Sequence, residues 1–141
     1  DHVEYRKMLR CVGERLKLTE TLKPALEVIS SVQSCPEAGL ALLSMGKRDV
    51  SYDLDLPVPI WQAALGDAAV SSVPAHWEIK ALNDQHAYLY FNPQAPASQH
   101  PTVGQIIGSG ISHPCTTFDK WRWMAIIEDD GRISGAISTH F

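Results

Sequence analysis

The sequence has little cysteine, no long apolar run and no long run of charge of one sign. Its three cysteines, Cys11, Cys35 and Cys115, are an odd number at irregular spacing, which argues against a disulfide framework and for a reducing compartment. No apolar run approaches the roughly 18 residues of a membrane-spanning helix, and no charged-then-apolar signal segment opens the chain. We therefore expect a cytoplasmic protein with no membrane partner.

Charge and composition narrow the class of protein further. The net charge is −4, with 12 basic and 16 acidic residues and no basic stretch, so we expect no nucleic-acid partner. A length of 141 residues and a hydrophobic fraction of 45% are typical of one folded globular domain. Its core is predicted to contain the thiols of Cys11 and Cys35 and the rings of Trp61, Trp77, Trp121 and Trp123.

Hydrophobic periodicity predicts a mainly β fold, a sandwich or barrel with one N-terminal helix. Apolar residues recur at spacings of three and four over about residues 3–18, which is typical of an amphipathic helix. Asp130-Gly131 between apolar runs predicts a β-hairpin near the end of the chain. Residues 53–75, which contain three prolines, are predicted to be irregular. Runs rich in β-branched and aromatic residues predict strands over 22–32, 77–82, 86–91, 103–111 and 121–127.

His113 and Cys115 form a candidate metal site. In an extended segment, residues two positions apart project from the same face, so an imidazole nitrogen and a thiolate sulfur would meet one ion there. This ligand pair suits zinc, and two protein ligands leave positions for water or substrate. The spacing alone is weak, because His-x-Cys pairs arise by chance.

The neighbourhood of this pair carries a more specific signal. The run HPCTTFDKWR over residues 113–122 resembles the metal-binding signature of the D-serine dehydratase and D-threonine aldolase-like enzymes that use pyridoxal phosphate. The segment GKRDVSYD over residues 46–53 resembles the start of that family's β-domain, and NDQH over residues 83–86 resembles its acidic-then-His stretch. The three matches occur in the order that the family has.

The resemblance implies an alanine racemase-like architecture for the parent enzyme. Residues 1–20 would form the helix at the barrel-to-β-domain junction, and residues 21–141 the D-serine dehydratase-like β-domain. No lysine here lies in surroundings like those of the family's cofactor lysine, so the N-terminal barrel that binds pyridoxal phosphate is expected to be absent from this chain. Asp1 in place of an initiator Met fits a fragment or a processed product. The resemblance also implies a homodimer.

The same resemblance implies roles for individual residues. His113 and Cys115 would hold zinc or another divalent metal. His86 would face the metal or the substrate carboxylate, although a surface or strand-packing histidine is equally consistent with its position.

Three charged residues are weaker candidates. Asp53 and Asp119 would orient metal ligands, with a turn or capping role as the alternative for both. Arg122 would pair with a substrate carboxylate, with a solvated or cross-strand charge as the alternative.

The implied function is that of a metal-binding domain in a lyase that acts on D-hydroxy amino acids such as D-serine or D-threonine. A cysteine ligand favours the dehydratase or deaminase branch over the aldolase branch. The alternative is a stand-alone, non-catalytic β-domain that binds a metal or ligand, because this chain without a cofactor lysine would be inactive alone.

Overall fold

The computed structural model describes Arg15, residues 24–67 and residues 69–140. The helix predicted over residues 1–20 and the predicted thiol packing of Cys11 lie outside the described residues, apart from Arg15. No helix in the described part of the chain is long and apolar enough to cross a membrane. The strands are β1 (Glu27–Glu37), β2 (Leu40–Leu43), β3 (Val58–Ala63), β4 (Ser71–Ser72), β5 (Glu78–Leu82), β6 (Ala87–Tyr90), β7 (Ile106–Gly110), β8 (Trp123–Ile127) and β9 (Ile133–Ser138). A 3-10 helix (Ala97–Gln99) precedes β7, and a short helix α1 (Pro114–Phe118) follows it.

Seven of these strands form one curled antiparallel sheet. The strand order is β4-β3-β7-β1-β2-β6-β5, and β8 and β9 form a separate two-stranded sheet. Strand β3 near one edge also contacts β5 at the other edge, so the sheet curls around its own inner face. The mainly β fold predicted from the sequence is confirmed.

The core lies inside this curl. Along β1, Val28, Ser30 and Val32 are buried, whereas Glu27 and Ile29 are exposed, which is the period of two expected of a half-buried strand. Leu43, Leu89 and Ile107 contribute fully buried side chains from three other strands. Each fully buried side chain of this size stabilises the fold by about 1.5–3 kcal/mol relative to an exposed one.

Strand β3 lies in the stretch that the sequence predicts to be irregular, so that prediction is wrong for Val58–Ala63. The strand pairs with β7 along its whole length but with β4 only at Trp61 and Gln62. Pro59 lies next to an irregularity in the register with β7, beyond the short reach of β4. Proline is tolerated next to such an irregularity, where the regular ladder of backbone hydrogen bonds is interrupted.

Helix α1 overturns the extended geometry predicted for the candidate metal ligands. Pro114 occupies the first turn of α1, where its fixed φ favours helix and its missing N–H costs nothing. His113 caps the helix with an extended backbone (φ −133°, ψ 96°), and Cys115 lies inside its first turn. The rule that alternate residues share a face holds for strands and does not apply to this pair.

The β8–β9 hairpin confirms the Asp130-Gly131 prediction. Gly131 adopts a left-handed φ of 80° in the turn, and the Glu128 N–H donates to the Arg132 carbonyl at 2.9 Å. Trp123 is 56% exposed at the start of the hairpin, and Trp121 before it is 40% exposed, so these two rings are not core residues as predicted. Trp77 is buried as predicted. Cys35 is exposed, which contradicts its predicted burial.

Candidate functional site

A loop over residues 46–53, here called the junction loop, lies between the turn of the β5–β6 hairpin and helix α1. The Lys47 N–H donates to the Asn83 carbonyl at 2.9 Å, and the Arg48 N–H donates to the Asp84 carbonyl at 3.1 Å. Gly46 lies so close to this turn that an added Cβ would come within 2.6 Å of the Asn83 oxygen. The close approach therefore requires glycine, and it joins the two sequence segments 46–53 and 83–86.

Buried hydroxyls join the other side of the junction loop to α1. The His113 N–H donates to Ser51 Oγ at 3.1 Å, and the Ser51 N–H donates to Thr117 Oγ1 at 3.1 Å. Ser51 and Thr117 are both almost completely inaccessible to solvent. Leaving a buried N–H without a partner costs free energy. These two hydrogen bonds therefore hold the loop and the start of α1 in one arrangement.

Asp53 and His113 form the central pair of the site. Asp53 Oδ2 lies 2.5 Å from His113 Nδ1, and Asp53 Oδ1 accepts a hydrogen bond from Thr116 Oγ1 at 2.9 Å. The hydrogen bond from His113 lowers the pKa of the Asp53 carboxyl below its ordinary range, against a smaller opposing effect of desolvation. Asp53 is therefore a carboxylate at neutral pH and accepts only, which places the imidazole proton on Nδ1. In the neutral form of the imidazole, the Nε2 lone pair then remains for another partner.

The donor chemistry at this point fits a divalent metal ion. A histidine whose Nδ1–H is held by a carboxylate is the arrangement by which proteins orient a metal-ligating imidazole. Cys115 lies two residues further on and exposes its thiol, a ligand suited to zinc. No group of three His, Cys, Asp or Glu side chains converges on one point within residues 24–67 and 69–140. The described residues therefore offer at most a two-residue arm to an ion here, and water, substrate or another chain would complete the coordination.

The remaining candidate residues lie apart from this pair. His86 stands in the β5–β6 turn, where its N–H donates to Asn83 Oδ1 at 2.7 Å, and it lines an open depression with the turn residues. Asp119 is the exposed C-cap of α1, with its N–H directed at the Cys115 carbonyl. Arg122 is exposed, and its carbonyl accepts from the Thr139 N–H at 3.1 Å. Within the described part of the chain, no side-chain hydrogen bond or ion pair joins these three residues to His113.

Sequence reasoning missed the hydroxyl residues that assemble the site. Besides bonding Asp53, Thr116 directs its hydroxyl at the His113 carbonyl at 3.3 Å, as does Thr117. Short hydroxyl side chains commonly bond to carbonyls three or four residues earlier, so Thr116-Thr117 after His113 was the local signal available. The partnership with Ser51 spans 62 residues and has no local signal.

Comparison with known proteins matches this chain to one family over most of its length. The model of the family described as "Putative serine dehydratase domain" matches residues 25–127. Those residues include all three segments singled out in the sequence, and the match ends at the last residue of β8. Comparison with curated proteins gives no match.

Two solved structures share the fold. D-threonine aldolase from Filomicrobium marinum superposes with a TM-score of 0.60 at 20% sequence identity, over 78% of this chain and 26% of that one. D-threo-3-hydroxyaspartate dehydratase, solved as a Cys-to-Ala variant in the metal-free form, superposes with a TM-score of 0.62 at 16% identity, over 83% of this chain and 32% of that one. This chain thus spans about a quarter to a third of each relative.

The family model therefore covers well over half of the chain. Of its three matched segments, residues 46–53 contact residues 83–86 at one end and residues 113–122 at the other. The resemblance identified from residues 46–53, 83–86 and 113–122 is confirmed at the level of the family. This chain belongs to the D-serine dehydratase-like domain family.

Proposed function

We propose that this chain is the metal-binding β-domain of a pyridoxal-phosphate-dependent lyase that acts on D-hydroxy amino acids. His113 and Cys115 are the metal ligands in this proposal, and Asp53 orients the His113 ring. A barrel domain outside this chain supplies the lysine and the pocket for pyridoxal phosphate, and the active enzyme is a homodimer. The metal is zinc or another divalent ion.

The observation that carries the proposal is the 2.5 Å contact between His113 Nδ1 and Asp53 Oδ2. It supports a ligand role for His113 because it presents the Nε2 lone pair in a fixed tautomer. The adjacent thiol of Cys115 supplies a second donor of the type that zinc prefers.

Thr116 and Ser51 position the pair in this proposal. Thr116 occupies the second oxygen of Asp53, so the carboxylate plane is held at both ends. Ser51 holds the backbone of His113, which restrains the ligand itself. When bound, the metal would act as a Lewis acid on the substrate β-hydroxyl, and the pyridine ring would accept the electron pair released at Cα.

Two features favour the dehydratase branch of this chemistry. The ligand next to His113 is a cysteine, which the family resemblance associates with dehydratases and deaminases. The relative that acts on D-threo-3-hydroxyaspartate was solved as a Cys-to-Ala variant in the metal-free form, which is consistent with a cysteine ligand in that enzyme.

Zinc titration of the 141-residue chain tests the ligand assignment. Isothermal titration and elemental analysis are expected to give one zinc per chain, with affinity reduced at least about tenfold in His113→Ala and in Cys115→Ser, because each change removes one of two protein donors. Cys35→Ser is the matched control, since Cys35 is also an exposed free thiol. Equal zinc binding by all four proteins would refute the assignment.

The lyase activity requires the complete parent enzyme. Incubation with D-serine and D-threonine, followed by separation of keto acid from aldehyde products, distinguishes dehydratase from aldolase chemistry. We expect keto acid and ammonia, and we expect Cys115→Ser to abolish most of the turnover. A parent chain that binds zinc but converts neither substrate would contradict the catalytic part and favour a binding domain.

A further inference from the structure

Two lysines converge on one exposed tyrosine beside the proposed metal arm. Lys47 Nζ lies 5.5 Å and Lys120 Nζ lies 5.6 Å from the centre of the Tyr52 ring. Both distances fall within the roughly 6 Å range of cation–π attraction. Tyr52 itself is 46% exposed, so the cluster is open to solvent.

Two carboxylates of the junction loop are already engaged, whereas the exposed carboxylate of Asp119, next to Lys120, forms no ion pair among the described residues. Asp49 Oδ2 accepts the Gly46 N–H at 2.8 Å, and both oxygens of Asp53 are taken up by His113 and Thr116. No carboxylate among the described residues forms an ion pair with Lys47 or Lys120. Two like charges are thus gathered on one ring, and no carboxylate of the described residues pairs with either of them.

A second lysine–tyrosine contact, between Lys80 and Tyr90, includes a carboxylate that balances the lysine charge. Lys80 Nζ lies 5.5 Å from the centre of the Tyr90 ring, and its charge is balanced by Glu78 at 3.4 Å. That pair needs no external anion. The Tyr52 cluster differs because it holds two cations, and neither of them is paired with a carboxylate of the described residues.

Hydrogen bonds hold the backbones of Lys47 and Lys120 in place. Trp121 Nε1 donates to the Asp49 carbonyl at 2.7 Å, which ties the residue after Lys120 to the junction loop. The Lys120 N–H donates to the Thr117 carbonyl at 3.1 Å, and the Lys47 N–H donates to Asn83. Because both lysine backbones are anchored, the two side chains start from fixed positions within reach of the ring.

We propose that Lys47, Tyr52 and Lys120 form a binding site for a small anion that carries a carboxylate or phosphate group. Such an anion supplies the missing counter-charge and accepts charge-assisted hydrogen bonds from both ammonium groups. This site is independent of the metal assignment, since none of its three residues is a proposed metal ligand. Its position next to His113 places it where it would select an anionic group of a small molecule.

Titration of the 141-residue chain with single anions tests the site. The chain, labelled with isotopes at tyrosine and freed of metal on a chelating resin, is titrated with succinate, inorganic phosphate and chloride at constant ionic strength, and the Tyr52 ring resonances are followed by NMR. We expect saturable shifts with succinate or phosphate and none with chloride. A stronger response to succinate identifies a carboxylate site, and a stronger response to phosphate identifies a phosphate site.

Lysine variants decide whether the cluster is responsible. Lys47→Gln and Lys120→Gln are each expected to weaken binding up to about fivefold, and the double variant about tenfold or more, in line with exposed ion pairs. Lys80→Gln is the matched control and keeps the affinity of the parent chain. Shifts that are linear and equal for all three anions, or affinity retained in the double variant with Tyr52 still shifting, would overturn the proposal.

Discussion

Asp53 is the residue on which the geometry of the site depends most directly. One of its oxygens meets the imidazole of His113 and the other meets the hydroxyl of Thr116, so a single exposed carboxylate links the junction loop to α1. The hydrogen bond from His113 lowers its pKa, so the carboxylate persists throughout the neutral range and is lost only in acid, below about pH 3.9, the usual value for aspartate. The role of Asp53 in metal binding remains a prediction.

Replacing Asp53 with asparagine is expected to weaken zinc binding about 10–100-fold while leaving the fold intact, because the carboxylate that orients the ligand is lost. The measurement is zinc affinity by isothermal titration alongside thermal unfolding. Asp55→Asn is the control, since Asp55 is also exposed but bonds Ser112 through its backbone only. Unchanged affinity in Asp53→Asn would contradict the orienting role.

Cys35 is predicted to have a slowly reacting thiol. Its thiol lies 3.5 Å from the Pro101 carbonyl, and desolvation raises its pKa above the ordinary value for cysteine. The fraction present as thiolate is therefore reduced at pH 8, and thiolate is the reactive form. We expect iodoacetamide to modify Cys35 more slowly in the folded chain than in the urea-unfolded chain, as measured by mass spectrometry of its peptide. Equal rates would show that the thiol is not desolvated in solution.

At the scale of elements, the β8–β9 hairpin stands apart from the curled sheet. Within the described strands and helices, each of its strands contacts only the other. Met124 pairs with Ile137, and Ile126, Ile133 and Ile137 are all more than two-fifths exposed. A two-stranded hairpin without further packing is marginally stable, so this element is the least supported part of the described fold.

Hydrogen exchange measures this difference. We expect amides in β8 and β9 to exchange faster than the paired amides of β1 and β7 by about two orders of magnitude or more, because local opening costs less free energy than global unfolding. The comparison strands are paired from Glu27↔Gly110 to Ser31↔Ile106. Protection of the hairpin equal to that of β1 would show that another surface covers it.

At the scale of the whole molecule, one indole ring crosses three adjacent strands. Trp61 on β3 lies over Gly108 on β7, and its Nε1 donates to Glu27 Oε2 on β1 at 2.6 Å. A Cβ built at Gly108 would come within 2.0 Å of the ring, so the crossing depends on glycine at that position. The packing of this ring across β3, β7 and β1 therefore depends on glycine at position 108.

Gly108→Ala is expected to destabilise the chain by about 1–3 kcal/mol, because the added methyl group overpacks a site with no free volume. The measurement is urea unfolding followed by tryptophan fluorescence. Gly135→Ala is the control, since its Cβ would meet only Ile126 Cδ1 at an ordinary 3.6 Å. Equal stability of the two variants would contradict the close packing of Trp61 on β7.

Local signals in the sequence predicted the parts of the fold that are themselves local. Runs rich in β-branched and aromatic residues identified β1, β5 and β6, and Asp130-Gly131 identified the last hairpin, because strand propensity and turn chemistry act over a few residues. The same local rules placed β3 in an irregular stretch, since proline counts against a strand and Pro59 lies at an irregularity in the register with β7 that the sequence does not reveal. They also treated His113–Cys115 as extended, whereas Pro114 starts a helix there.

The sequence by itself determined the family, the mainly β fold and the identities of the candidate ligands. Motif order and strand signals depend only on the order of residues along the chain, so they can be read without knowing which residues meet in space. Only the tertiary structure decided which residues meet. The hydrogen bonds of Asp53 with His113 and of Ser51 with Thr117 span 60 and 66 residues. The same long-range packing separates His86 from His113 and gathers Lys47 and Lys120 on Tyr52, because neighbours across a curled sheet are set by strand order and not by distance along the chain.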